Sequence, residues 1–311
     1  MSSPDGPVEA WGPERLGDLV DLADVALPGE TLTPDDLEAL CFGPTAHDPE
    51  GPHGVTSVLG TRGGHAVAVV SSRPGGRAHL QLLLVHPARR RRGLARTVVR
   101  AAERWAVEQG AGALVIGAGA PVYLFTGVDA TWTEALCCFE ALGYGRVAVE
   151  LDLVCPTRPA TRAPVPEGVV VERVRRDAQV AELIRWAEAT WPAWTAELER
   201  AAAAGTVVVA CERAEDGTAG AVVGAAAHSV GRLGVVGPVA VDPDRHGGGV
   251  GAAMVAAVLA DLSTAGLDRA EIAWVSTIRF YVRACGARVG RTSVVLARDL
   301  GDGPVAVASQ L

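Results

Sequence analysis

Short apolar runs bounded by glycine and proline alternate along this chain with longer stretches whose apolar residues recur at helical spacing. Two helices open it. One lies near Glu14 to Ala26. The other follows Thr33, which can cap a helix starting at Pro34 with Asp35 and Asp36 in its first turn. Strand patterns come next at Val55–Gly60, Ala66–Ser72 and His79–Val85, separated by the turn signals Gly63-Gly64 and Pro74-Gly75-Gly76. A helix from Leu94 to Glu108, a buried strand at Leu114–Ile116, a helix from Thr133 to Leu142 and a strand from Arg146 to Val154 complete the series.

The series then repeats. Val169–Val174 is strand-like, and helices are expected at Ala178–Ala189 and Pro192–Ala203. Strands follow at Thr206–Cys211, Ala221–His228 and Leu233–Val241, then a helix at Val250–Thr264, a strand at Ala270–Val275, a helix at Thr277–Cys285 and a last strand at Val289–Ala297. Between the two series, the run from Cys155 to Gly168 is too rich in proline for regular pairing. The expected organisation is an N-terminal domain over 1–155, a linker over 156–168 and a C-terminal domain over 169–311, each α/β with a mixed sheet flanked by helices.

One segment occurs twice in corresponding places: V-H-P-A-R-R-R-R-G-L-A from Val85 to Ala95, and V-D-P-D-R-H-G-G-G-V-G from Val241 to Gly251. Each follows a strand and opens a helix. A turn of this kind aims unpaired main-chain N–H groups at an anion, and the helix terminus adds partial positive charge. The run Arg89–Arg92 can equally form a solvated face or a nucleic-acid patch, but its place between a strand and G-x-A favours a phosphate ligand.

Composition narrows the picture. A chain of 311 residues with 49% hydrophobic content suits two domains with substantial cores. No apolar run is long enough to span a bilayer and the first residues do not resemble a signal peptide, so a cytoplasmic protein with no membrane partner is expected. A net charge of -8 argues against broad nucleic-acid binding. Every basic residue apart from histidine is arginine, so no lysine amine is present to act as a nucleophile. The six cysteines show neither C-x-x-C pairs nor zinc spacing, and buried reduced thiols are expected, with no metal.

With these residues in hand, the chain resembles the GCN5-related N-acetyltransferase (GNAT) superfamily. That family's loop reads (Q/R)-x-x-G-x-(G/A) after a strand ending V-x-P. Val85, Pro87, Arg90, Gly93 and Ala95 match it fully. Val241, Pro243, Gly249 and Gly251 match it in the second half, where His246 stands in place of glutamine or arginine. A late helix with F-Y-x-x-x-G-(F/A) is approximated by Phe280, Tyr281, Gly286 and Ala287, and in the first half by Cys138, Phe139, Gly143 and Tyr144.

The resemblance implies two tandem GNAT-like domains with mostly antiparallel sheets, and transfer of an acetyl group from acetyl-CoA to a primary amine. It places the diphosphate on Arg90, Arg91, Arg92, Gly93, Leu94 and Ala95, and on His246, Gly247, Gly248, Gly249, Val250 and Gly251. The pantetheine arm would run along Leu84 and Val85, and along Val239, Ala240 and Val241. Tyr281 would protonate the leaving thiolate. Phe139 has no proton to give, so the C-terminal half is expected to be the catalytic one. Glu271 is a candidate general base, beside a water chain or delivery of a neutral amine. Trp191, Trp194, Tyr123, Phe125 and Asp129 are candidates for shaping an acceptor pocket, with plain packing as the competing role. The acceptor is expected to be a small-molecule amine, and the protein a monomer or a homodimer. A non-catalytic acyl-CoA-binding protein is the alternative.

Overall fold

A computed structural model describes residues 6–43, 47–48, 54–73, 76–117, 119–159 and 163–301. In chain order the elements are β1 (Val8–Ala10), α1 (Leu16–Ala26), α2 (Pro34–Cys41), β2 (His47–Asp48), β3 (Gly54–Thr61), β4 (Ala66–Arg73), β5 (Arg77–Val85), α3 (Leu94–Glu108), β6 (Ala113–Ile116), β7 (Val128–Asp129), α4 (Thr133–Ala141) and β8 (Gly145–Pro156). The order continues with β9 (Val169–Arg173), α5 (Asp177–Thr190), α6 (Thr195–Ala204), β10 (Val207–Arg213), β11 (Ala219–His228), β12 (Val235–Val241), α7 (Val250–Thr264), β13 (Arg269–Ile272), α8 (Ile278–Cys285) and β14 (Arg288–Asp299). No helix among the described residues is long and apolar enough to cross a membrane.

Two compact units emerge, and they do not coincide with the expected spans. Unit 1 combines 1–150 with 292–311, and unit 2 is 151–291. The cause is the placement of the two longest strands. In unit 1 the strand order is β1-β3-β4-β5-β6-β14, closed by the last strand among the described residues, where Leu296 lies opposite Ile116. In unit 2 the order is β9-β10-β11-β12-β13-β8, closed by the strand expected to finish the first half, where Leu153 lies opposite Ile272. Alternation of apolar and polar residues marks both segments as strands, but it carries no information about the partner. Of the expected linker, Pro156 belongs to β8, and 160–162 lie outside the described residues.

Each sheet is antiparallel except at one place, β5 beside β6 and β12 beside β13. Helices cover both faces. In unit 1, α1 and α2 pack Leu19, Leu22, Leu37 and Leu40 on Val67, Val69, Leu82 and Leu84. On the other face α3 packs Leu94, Val98 and Val99 on Ala66, Ala68, Val70 and Leu80. In unit 2, α5 and α6 cover one face through Leu183 and Leu198, and α7 covers the other through Met254, Val258, Leu259 and Leu262. Each fully buried leucine of this kind contributes on the order of 2 kcal/mol.

One polar cluster interrupts the apolar face of unit 1. The buried Glu103 carboxylate accepts from the Tyr144 hydroxyl at 3.0 Å, from Arg298 at 3.1 Å and from Arg100 at 2.6 Å. Arg298, carried in by β14, also donates to the Leu142 carbonyl at the end of α4 at 3.1 Å. The exchanged strand is therefore tied in unit 1 by a buried charge network as well as by its ladder.

Candidate active site

The fold makes the same opening twice. In β5, Val69 faces Leu82 and Val70 faces Leu80, so Gln81 is the extra residue of a bulge. Pairing with β6 ends at Leu80 and Ile116. In β12, Ala226 faces Val239 and His228 faces Val236, with Gly237-Pro238 inside the irregular stretch. Pairing with β13 ends at Val236 and Ile272. A bulge bends a strand and increases its twist, so each strand leaves its parallel partner at that point. Beyond it no ladder pairs form on that side among the described residues, along Leu82–Val85 and Pro238–Val241. The expected pantetheine positions Leu84, Val85, Val239, Ala240 and Val241 all lie on these released segments.

Each released strand ends in a turn of the same conformation. In unit 1 the His86 ring caps a 3-10 turn at Pro87–Arg89 by accepting from the Ala88 N–H at 3.2 Å. In unit 2 Asp242 does the same for Pro243–Arg245, accepting from the Asp244 N–H at 3.2 Å. Arg90 (φ -60, ψ 161) and His246 (φ -60, ψ 144) are then extended. Arg91 (φ 63) and Gly247 (φ 80) turn left-handed, and so do Gly93 (φ 85) and Gly249 (φ 85). Arg91 holds by context a conformation that glycine holds freely.

These turns leave the starts of α3 and α7 bare. Neither helix has a side-chain cap. By contrast, α2 is closed by Thr33, whose hydroxyl accepts from the Asp36 N–H at 3.1 Å. The ladder of α3 begins with Thr97 N–H to Gly93 O at 3.0 Å, and that of α7 with Ala253 N–H to Gly249 O at 3.0 Å. The N–H groups of Leu94, Ala95 and Arg96, and of Val250, Gly251 and Ala252, precede those bonds and so have no carbonyl within their own helix, directly after an exposed glycine. Such a terminus binds anions. Gly251 also has a packing reason, since a Cβ there would stand 3.1 Å from the Phe280 ring.

The two turns differ in charge. Arg91 and Arg92 are exposed beside the first. Beside the second, Arg245 is paired with Glu212, and Asp242 and Asp244 add negative charge.

The model of the acetyltransferase (GNAT) family matches this chain twice, over residues 19–121 and 171–287. The chain belongs to the acetyltransferase (GNAT) family. It is similar, at 18% identity and a TM-score of 0.72, to the GCN5-related glucosamine N-acetyltransferase region of a fungal multi-domain beta-N-acetylglucosaminidase, covering 94% of this chain and 38% of that one. A tandem GNAT protein from the clavulanic acid biosynthesis pathway is 17% identical with a TM-score of 0.70, covering 96% and 99%. A GCN5-related N-acetyltransferase from Sphaerobacter thermophilus is 20% identical with a TM-score of 0.65, covering 98% of each chain. At these identities the likeness is one of fold. No curated protein matches the chain.

Within this tandem GNAT architecture the remaining expected residues separate. Tyr281 is buried on α8 in the core of unit 2, its ring 4.7 Å from that of Phe280. Burial pushes its pKa well up, and the nearby Cys285 and Cys155 thiols add to the effect, so the hydroxyl keeps its proton. Phe139 is buried at the corresponding place on α4 and packs edge-on against Tyr144 at 5.5 Å. Glu271 sits before the strands part, opposite Val235, and its carboxylate is held by the buried Arg232 at 2.6 Å. That commitment disfavours it as a proton acceptor. Trp191 and Trp194 stack at 4.9 Å, and the Trp191 Nε1–H donates to the Val241 carbonyl at 3.2 Å.

The route from parallel strand to late helix also differs between units. In unit 1, residues 119–132 fold back over the sheet. Val122, Leu124 and Phe125 are buried against Leu82 and Leu84, and Gln81 donates to the Gly119 carbonyl at 3.1 Å. Phe125 and its neighbours thus pack into a core. In unit 2 the connection is only 273–277. Trp274 there adopts φ 55 and its N–H donates to the buried Asp152 carboxylate at 2.8 Å. Asp152 and Trp274 were not foreseen. The one sequence signal was an acidic residue inside an apolar strand, and its meaning depended on which sheet received β8.

Proposed function

We propose that the protein transfers the acetyl group of acetyl-CoA to a primary amine, and that unit 2 carries the chemistry. The observation that carries this reading is the repeated pair of left-handed turn residues before an uncapped helix, at the end of a strand released from its neighbour. Coenzyme A fits such a place. Its diphosphate needs several N–H donors with no side chains in the way, and a Cβ at Gly247 would meet nothing within 4 Å. The released main chain of Pro238–Val241, apart from the Val241 carbonyl that accepts from Trp191 and His246, offers hydrogen-bonding groups to the amides of the arm.

When bound, acetyl-CoA supplies the activated thioester and its leaving thiolate. The turn Gly247–Gly251 holds the diphosphate and so fixes where the arm ends. Tyr281 keeps an O–H throughout the working pH range, and in this reading that O–H gives its proton to the departing sulfur. Glu271 stays with Arg232, and the amine arrives neutral or loses its proton through water. Two observations favour unit 2: Phe139 has no hydroxyl, and 119–132 fill in unit 1 a region that the short connection of unit 2 does not. Unit 1 is read as binding coenzyme A without turnover.

Release of the CoA thiol against a panel of amines tests this. Amino sugars come first, because the fungal relative is named for glucosamine N-acetylation. Turnover is expected on at least one amine, with kcat lower by about a hundredfold in Tyr281→Phe and the KM for acetyl-CoA little changed. Equal turnover in the variant would remove Tyr281 from the mechanism. Coenzyme A binding with no amine accepted would make the protein a non-catalytic acyl-CoA binder.

A further inference from the structure

The departure of the second turn from the family pattern has a physical counterpart. Arg90 is a hub in unit 1. Its Nε–H donates to the Val85 carbonyl at the strand end, at 3.4 Å, and its Nη2 donates to the Ala26 carbonyl at the end of α1, at 2.9 Å. One guanidinium thus joins the released strand, the phosphate turn and the first helix. An imidazole cannot reach as far. His246 donates through Nε2–H to the Val241 carbonyl at 3.1 Å, repeating only the first of these bonds.

The second bond is made in unit 2 by another residue. Helices α1 and α5 end alike, at Leu27 (φ -123, ψ 60) and at Trp191 (φ -136, ψ 57), each N–H closing on the carbonyl four residues back. Leu27 cannot donate from its side chain. Trp191 can, and its indole N–H reaches the same Val241 carbonyl at 3.2 Å. The hub has moved from a cation that donates twice to a carbonyl that accepts twice.

We infer that Trp191 and His246 are jointly positioning residues of the second turn, doing together what Arg90 does alone in the first. They hold the end of the released strand, and with it the amides of Gly247–Gly251, in the geometry that receives a diphosphate. Trp191 is then part of the coenzyme A machinery rather than of an acceptor pocket. The inference rests on the coenzyme A reading above.

The intact chain is titrated with coenzyme A by calorimetry, as wild type, Trp191→Phe, His246→Phe, and the double variant Trp191→Phe with His246→Arg. The first turn is untouched in all four and serves as internal reference. Loss of one hydrogen bond predicts affinity at the second turn weaker by about fivefold to tenfold in each Phe variant. Arginine at 246 is expected to restore it to within about twofold in the double variant, because it can reach the Thr190 carbonyl that corresponds to that of Ala26. A merely structural tryptophan would not be replaced by a cation on another segment. If wild type binds and Trp191→Phe binds equally well, the inference falls alone. If the Phe variants weaken but arginine fails to rescue, the shared role is wrong. If Trp191→Phe does not fold, Trp191→Leu, the residue at the corresponding helix end of unit 1, takes its place: it must weaken binding alone, and His246→Arg must restore it. If wild type shows no binding heat, the coenzyme A reading falls first.

Discussion

His228 shows how a single side chain ties unit 2 to pH. It is 8% exposed at the end of β11, and its Nδ1 meets the Ser229 hydroxyl at 3.1 Å. Burial lowers its pKa; the Asp261 carboxylate opposes that shift and the Arg173 guanidinium adds to it. The unfolded chain therefore binds the proton more readily than the folded one. Stability should be intact above the ordinary histidine range near 6.5 and decline as pH falls through it. Thermal unfolding of wild type between pH 7.5 and 5.5 should show that decline, and His228→Gln should flatten it. An equal slope in both proteins would remove His228 as its source. Nothing in the sequence marks His228 for this role, because its environment is assembled from β9, β11 and α7. Arg90, Gly93 and Gly249 were legible, since local turn chemistry dictates them. The ion pair of Glu271, on β13, with Arg232 was not legible, because the two residues lie far apart in sequence.

At the scale of elements, α3 and α7 match their expected bounds from first residue to last. Local pattern was sufficient for them: continuous helical spacing after a glycine turn. The bulges of β5 and β12 were not legible, although a proline inside a strand, Pro238, is the kind of residue that marks one. The two turns share a shape and differ in charge, and that difference is measurable. Exposed Arg91 and Arg92 should make coenzyme A binding at the first turn fall steeply with salt. At the second, where Arg245 is paired with Glu212, salt should matter little. Gly249→Val forces a β-branched residue to φ 85 and should disable the second turn, and Gly93→Val the first, so that each can be titrated in the other's absence at low and high ionic strength. Equal salt slopes would show that the arginines do not face the ligand.

For the whole molecule, the duplication was plain from repeated motif and repeated element order, and the exchange of closing strands was not. Periodicity identifies a strand, whereas the choice of partner is settled by packing over long sequence separations. The consequence is direct. A chain cut to 1–155 lacks β14, and with it the Arg298 that buried Glu103 requires. A chain cut to 169–311 lacks β8, and with it Leu153 and Asp152. Neither fragment should unfold cooperatively, because each exposes the edge of its sheet and part of its core. A fragment over 151–291 contains β9 to β13 and the part of β8 that pairs with β13, Leu153–Pro156, and should do better than 169–311. Cooperative melting of both sequence-defined halves would contradict the exchange.

The proposed function requires that coenzyme A be gripped by main-chain amides where a released strand hands over to an uncapped helix. Calorimetric titration of the intact chain with coenzyme A, set beside the variant carrying both Gly93→Val and Gly249→Val, tests this most directly. Saturable binding by wild type and its loss in the folded double variant is the predicted result. No binding by wild type, or undiminished binding by the double variant, would contradict it.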